Sequence, residues 1–164
     1  MNYKFLLPIL LLITLTVLVS GCTSDSADNS TTTTEKSSLE SYENITVGGL
    51  KCQIPESYAG GGYNNNNNDD GKSVYESPDA SLTIEVYTKQ ARYQDAVDYA
   101  AGEPGTIKKT TTVSGNEVIS YDATDYNGNP YISYFFEVNG KNISIMQDGT
   151  AIDTKIVESF YNLN

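Results

Sequence analysis

The chain has no histidine, no tryptophan, two cysteines and five prolines in 164 residues. Without histidine there is no Ser-His-Asp or Cys-His nucleophile pair and no imidazole ligand for zinc. Two cysteines cannot build a cysteine-rich metal site. The sequence also lacks Gly-x-x-x-x-Gly-Lys-Ser/Thr and Gly-x-Gly-x-x-Gly, so no phosphate cradle is signalled. Basic residues are scarce: 10 Lys and Arg stand against 21 Asp and Glu, a net charge of −11. Such a balance repels nucleic-acid phosphates and anionic headgroups, so nucleic acid is not an expected partner and the acidity reads as solubility.

A long apolar run is present only at the start. "FLLPILLLITLTVLV", residues 5–19, follows Lys4 and precedes Ser20, Gly21 and Cys22. A positive start, a short apolar run and small residues describe an export signal. The run is short for a helix that must cross roughly 30 Å of hydrocarbon, and Pro8 interrupts it. Val19-Ser20-Gly21-Cys22 resembles the lipobox of prokaryotic lipoproteins, with Val19 where leucine is more usual. The resemblance implies cleavage before Cys22 and a diacylglyceryl group on its sulfur, so Cys22 becomes the membrane attachment point. Stable anchoring needs more than one acyl chain. An ordinary signal peptide or an uncleaved anchor is the alternative. Loss of residues 1–21 removes Lys4 and no acid, leaving 9 basic and 21 acidic residues and a charge of −12.

Residues 22–42 are mostly Ser, Thr and acids. They hold too little apolar surface to offset ordering entropy, which predicts a disordered tether spanning on the order of 25 Å. One globular domain is expected over 43–164.

Within it, hydrophobic spacing predicts strands over "NITV" and "LKCQI" around Gly48-Gly49, then over "SVYE" and "SLTIEVYT". In the last, Leu82, Ile84 and Val86 share one face. Tyr93, Ala96, Val97 and Ala100 recur at helical spacing until Gly102 and Pro104. Two hairpins follow, "IKKTTTV"/"EVISYDA" about Ser114-Gly115-Asn116 and "YISYFFEV"/"KNISIMQ" about Asn139-Gly140. A final helix over "TAIDTKIVESFY" carries Ile152, Ile156, Val157 and Phe160, with Thr150 and Asp153 as a capping box.

The pattern predicts an α+β fold: an antiparallel sheet with one inserted helix and a C-terminal helix packed on it. Ile132, Tyr134, Phe136 and Val138 face one side, Tyr131 and Phe135 the other with Met146 near them. Either helices cover both faces or one face is a binding surface.

"VGGLKCQIPESY" (47–58), the meander ending in "VNGKNISIM" (138–146) and "DTKIVESF" (153–160) together resemble PsbP-like domains over about residues 45–162. That resemblance implies an α/β/α sandwich and a role in assembly or binding, and it transfers no catalytic residue.

Cys52 alternates with Leu50 and Ile54 and reads as a buried core thiol. Two loops carry hard oxygen donors suited to Ca²⁺. One is "YNNNNNDDGK" with Asp69 and Asp70. The other is "DATDYNGNPY" with Asp122, Asp125, Asn127 and Asn129. Neither has the spacing of a calcium loop; a polar loop and a hairpin turn explain them equally. Asn29, Asn44 and Asn142 lie in glycosylation sequons.

No cofactor is implied. The leading functional expectation is a non-enzymatic surface lipoprotein facing outside the cytoplasm, held by its lipid, whose domain binds an envelope protein or glycan. A divalent-cation- or solute-binding lipoprotein and a hydrolase using acids alone are the other readings.

Overall fold

Gly48 and Gly49 both adopt positive φ (+57° and +81°), and this turn joins β1 (Tyr42–Val47) to β2 (Leu50–Pro55). Successive positive φ values suit the twist of a two-residue hairpin. At Gly48 a Cβ would also lie 2.7 Å from the Val86 side chain, so the turn needs glycine for space as well. The computed structural model describes residues 40–64 and 71–164. The signal segment, Cys22, Asn29, the tether as far as residue 39, Asp69 and Asp70 lie outside these.

After β2, a short 3₁₀ turn (Glu56–Tyr58) leads to β3 (Gly62–Asn64), β4 (Lys72–Glu76) and β5 (Leu82–Tyr87). Helix α1 (Gln90–Gly102) is inserted next. Then come β6 (Ile107–Val113), β7 (Asn116–Thr124), β8 (Pro130–Val138), β9 (Lys141–Asp148) and helix α2 (Thr154–Leu163). Strands β3 to β9 form one seven-stranded sheet in the order β3-β4-β5-β9-β8-β7-β6, and β1 with β2 forms a separate two-stranded sheet. Every pairing is antiparallel. This is the α+β architecture expected, with one helix mid-chain and one at the end.

The first face of the large sheet carries Leu82, Ile84, Val86, Ile132, Tyr134, Phe136, Ile143 and Ile145, all buried. Period-2 alternation puts them together, and the register aligns them: Ile84 opposes Ile145, and Ile145 opposes Tyr134. Over them lie Ile45, Val47, Cys52 and Ile54 of the hairpin and Ile156, Val157 and Phe160 of α2. A second, smaller apolar cluster sits on the opposite face. It is made by Ala100, Tyr121 and Phe135 with Tyr93, Ala96, Val97 and Ile119. The stripe read at helical spacing is thus the face that α1 turns to the sheet.

The sequence reading needs correction at three places. Helix α1 begins at Gln90, three residues ahead of the first periodic apolar residue. Thr150 caps nothing: α2 starts at Thr154, and Asp153 is its N-cap, accepting the Lys155 backbone N–H at 2.9 Å. A cap acts on the second or third amide after it, and only Asp153 stands at that distance from the helical run. Strand β3 was not expected, because Gly-Tyr-Asn carries no periodicity. Among the described residues, no helix is long and apolar enough to cross a membrane.

Candidate functional site: a cavity beneath the inserted helix

The register fixes which side chains lie beneath α1. Glu85 opposes Ser144, which opposes Phe135; Thr83 opposes Met146, which opposes Ser133. These two rows cross β5, β9 and β8 on the second face of the sheet. In most packed interfaces such central positions hold branched or aromatic side chains. Here Thr83, Ser133 and Ser144 on the sheet meet Ala96 and Ala100 on α1. Small side chains on both layers leave a cavity of about 270 Å³, walled by Phe135, Met146, Tyr99 and Tyr131.

Aromatic rings hold α1 at its place on the sheet. Tyr87 meets Tyr93 at 5.5 Å between centroids, Tyr93 meets Phe135 at 5.8 Å, and Phe135 meets Tyr121 at 5.9 Å. All three contacts are edge-to-face, the favoured geometry of aromatic pairs. At the cavity mouth the Tyr131 hydroxyl donates to Glu103 at 3.1 Å. The same carboxylate, one helical turn after Tyr99, raises the Tyr99 pKa. Burial, then Glu103, pushes the Tyr131 phenol up to about 12.

Among the described residues Glu85 is the one carboxylate lining the cavity. One of its oxygens takes the Lys72 ammonium and the other takes the Tyr87 hydroxyl. Ser144 Oγ adds a bond to Glu85 at 3.3 Å and lies 3.1 Å from the Tyr87 hydroxyl. Burial raises the Tyr87 pKa, and the neighbouring carboxylate raises it further. A second, more open recess of about 370 Å³ continues past Glu85 toward Arg92 and Asp95. The arrangement supplies an apolar wall, aromatic rims, hydroxyls from three strands and an ion-paired carboxylate.

Most residues singled out from sequence are elsewhere. Cys52 is fully buried in the main core, and burial pushes its thiol up to about 12. Asp125 organises the β7–β8 turn: its carboxylate accepts the Asn127 and Asn129 backbone N–H groups, each at 2.8 Å, and Asn129 Nδ2 at 3.0 Å. Those bonds hold the Asp125 pKa below the ordinary carboxylate range. Asp122 is paired with Lys109 across the β6–β7 strands. Among the described residues, no group of three or more acidic or cysteine side chains is placed to hold a metal ion. Asn44 is exposed on β1 and accepts from Gln53 Nε2 at 3.1 Å. Asn142 is half-buried on β9, and its Nδ2 donates to Gln90 at 2.6 Å.

Alternation already puts Tyr131, Phe135 and Met146 on one sheet face, but nothing in the sequence joins Ala96 and Ala100 of the helix to them or singles out Thr83, Glu85, Tyr99, Ser133 and Ser144. The signal was the polar half of alternating strands, ordinarily assigned to solvent. No protein-family model matches this sequence, and no curated protein matches it.

Proposed function

We propose that this chain is a membrane-anchored surface protein whose domain is a non-catalytic binding module. The tether and Cys22 attachment rest on the lipobox resemblance of Val19-Ser20-Gly21-Cys22. The binding role rests on one observation: the cavity under α1, open to solvent and lined by aromatic, hydroxyl and carboxylate groups. Concave sites that pair apolar walls with a few converging polar groups are where small ligands bind. Assembly or binding is also the role that the PsbP-like resemblance implies.

A catalytic reading finds less support. The chain has no histidine, the Glu85 carboxylate in the cavity lining is ion-paired with Lys72, and the Tyr99 and Tyr131 phenols there are shifted upward, away from the range of a general base at neutral pH.

The test uses the full chain in mild detergent. Its unfolding temperature is followed against common solutes and cell-envelope fragments, and the membrane-bound protein is cross-linked in parallel. A ligand that prefers the folded state must raise the transition. A reproducible shift or a reproducible cross-linked partner supports the reading; neither in any condition removes it.

A further inference from the structure

We infer that the cavity between α1 and strands β5, β9 and β8 is a saccharide subsite taking one neutral sugar ring. The inference rests on the binding-module reading and adds the ligand's chemistry.

Three features of the lining lead there. The first is hydroxyl placement. Thr83 and Ser133 stand on either side of Met146 in one row. They are therefore two strand spacings apart, roughly 9–10 Å. Hydroxyls donate and accept, so their natural partners are groups that do both. A single ring with hydroxyls on opposite edges bridges that distance through two hydrogen bonds.

The second feature is the wall. Tyr99 is 71% exposed at the mouth, and beside it Tyr131 is held by its hydroxyl bond to Glu103 at 3.1 Å. A ring fixed by its own hydroxyl bond offers a rigid apolar face at low entropic cost. The buried Phe135 and the partly exposed Met146 add apolar surface to the same lining. A sugar ring has an apolar C–H face to lay against it and polar edges for Thr83 and Ser133.

The third feature is charge. Among the described residues no lysine or arginine lines the cavity, and the Lys72 ammonium beside it is already taken up by Glu85, so an anion would find no unengaged positive partner there. Glu85 already holds the Lys72 ammonium, so a cationic ligand would have to displace it. One carboxylate oxygen with spare lone pairs still accepts a neutral hydroxyl. At about 270 Å³ the cavity has room for one ring rather than a chain, so an oligosaccharide would enter by its end.

The test titrates the full chain in mild detergent with neutral hexoses and N-acetylhexosamines, their oligosaccharides, a uronic acid and choline. Binding is read by saturation-transfer NMR and calorimetry. Saturable binding of a neutral sugar at millimolar concentration is expected. Tyr99→Ala, at an exposed position, should weaken it roughly tenfold, about 1.4 kcal/mol. Ser133→Leu, which fills the cavity, should abolish it while the chain still unfolds cooperatively. Binding of the monosaccharide identifies a free solute. Binding of the oligosaccharide alone identifies a glycan end, and either supports the subsite. No neutral-sugar binding, preference for choline or the uronic acid, or binding unchanged in Tyr99→Ala overturns it. If sugars fail but a cross-linked partner is recovered at the membrane, the saccharide assignment falls and the binding module stands. If both fail, both fall.

Discussion

The Asn164 side chain pairs with the backbone of Lys51 in both directions. Asn164 Oδ1 accepts the Lys51 N–H at 2.9 Å, and Asn164 Nδ2 donates to the Lys51 carbonyl at 2.7 Å. The amide thus stands in for a neighbouring strand along the outer edge of β2. Two residues on, Ser159 Oγ accepts the Gln53 N–H at 2.8 Å. Side chains of α2 and of its C-cap therefore satisfy the β2 edge and hold the hairpin over the main sheet. An open edge would otherwise be a template for pairing with other chains.

Asn164→Ala removes both bonds, together with the one Nδ2 donates to the Phe160 carbonyl at 2.9 Å, and should cost about 1–2 kcal/mol, read from the midpoint of urea unfolding at unchanged slope. Asn164→Asp separates the two. It keeps an acceptor for the Lys51 N–H but sets a carboxylate oxygen against the Lys51 carbonyl. It should be no more stable than Asn164→Ala. If Asn164→Asp matches the wild type, the bonds Nδ2 donates to the Lys51 and Phe160 carbonyls contribute nothing.

The two apolar clusters predict different consequences for two phenylalanines. Phe160 of α2 meets Phe136 in the main core at 5.6 Å between centroids. Phe135 belongs to the smaller cluster under α1. Phe160→Ala should destabilise the whole fold by about 3–5 kcal/mol. Phe135→Ala should loosen α1 first, by local opening. Hydrogen exchange checks this: amides of α1 should exchange faster in Phe135→Ala while those of α2 and β2 keep their protection. Equal acceleration in both helices would mean that the clusters unfold as one.

The same division explains what was legible beforehand. Leu82, Ile84 and Val86 announce a strand through local alternation, and Asn139-Gly140 announces a tight turn through backbone preference. Both signals lie within a few residues. The β5–β9 pairing joins residues about sixty positions apart, such as Glu85 and Ser144, and no local pattern specifies it. The cavity is harder still to read, since it consists of volume that Ala96, Ala100, Ser133 and Ser144 do not fill. Each is unremarkable alone, and they matter only once α1 is laid across the sheet. The start of α2 was misplaced for a related reason: Thr150 and Asp153 have capping-box spacing, but the chain turns helical only after Asp153.

Neutral tyrosines set an alkaline limit on stability. The Tyr42, Tyr93 and Tyr131 phenols are each pushed up to about 12, chiefly by burial, with Asp153, Glu137 and Glu103 adding to the shift. In the unfolded chain they titrate near 10. The folded state therefore holds more protons than the unfolded one between about pH 10 and 12. Their contribution is complete below pH 10 and is lost as pH rises through that window. Phenolate absorbance should show a late-titrating group of tyrosines whose ionisation coincides with loss of tertiary circular dichroism. Tyr131→Phe should move the onset of unfolding to higher pH. A single early titration with the fold intact would contradict the burial effect.

The two cysteines together test the membrane attachment. Cys52 is buried, with its thiol pushed up to about 12. At pH 8 the thiol is therefore protonated, and the surrounding core blocks reagent as well. Cys52 should therefore stay silent to an aromatic disulfide reagent until denaturant is added. If Cys22 carries a thioether-linked lipid, the membrane-extracted chain has no fast-reacting thiol and releases one on unfolding. Cys52→Ala should then show none under either condition. A free Cys22 would instead react on mixing, give two thiols in denaturant and leave one in Cys52→Ala. Cys22→Ser supplies the complementary arm: loss of the lipid should move the protein from the membrane fraction, and a Cys22→Ser chain still held there would point to an uncleaved N-terminal anchor.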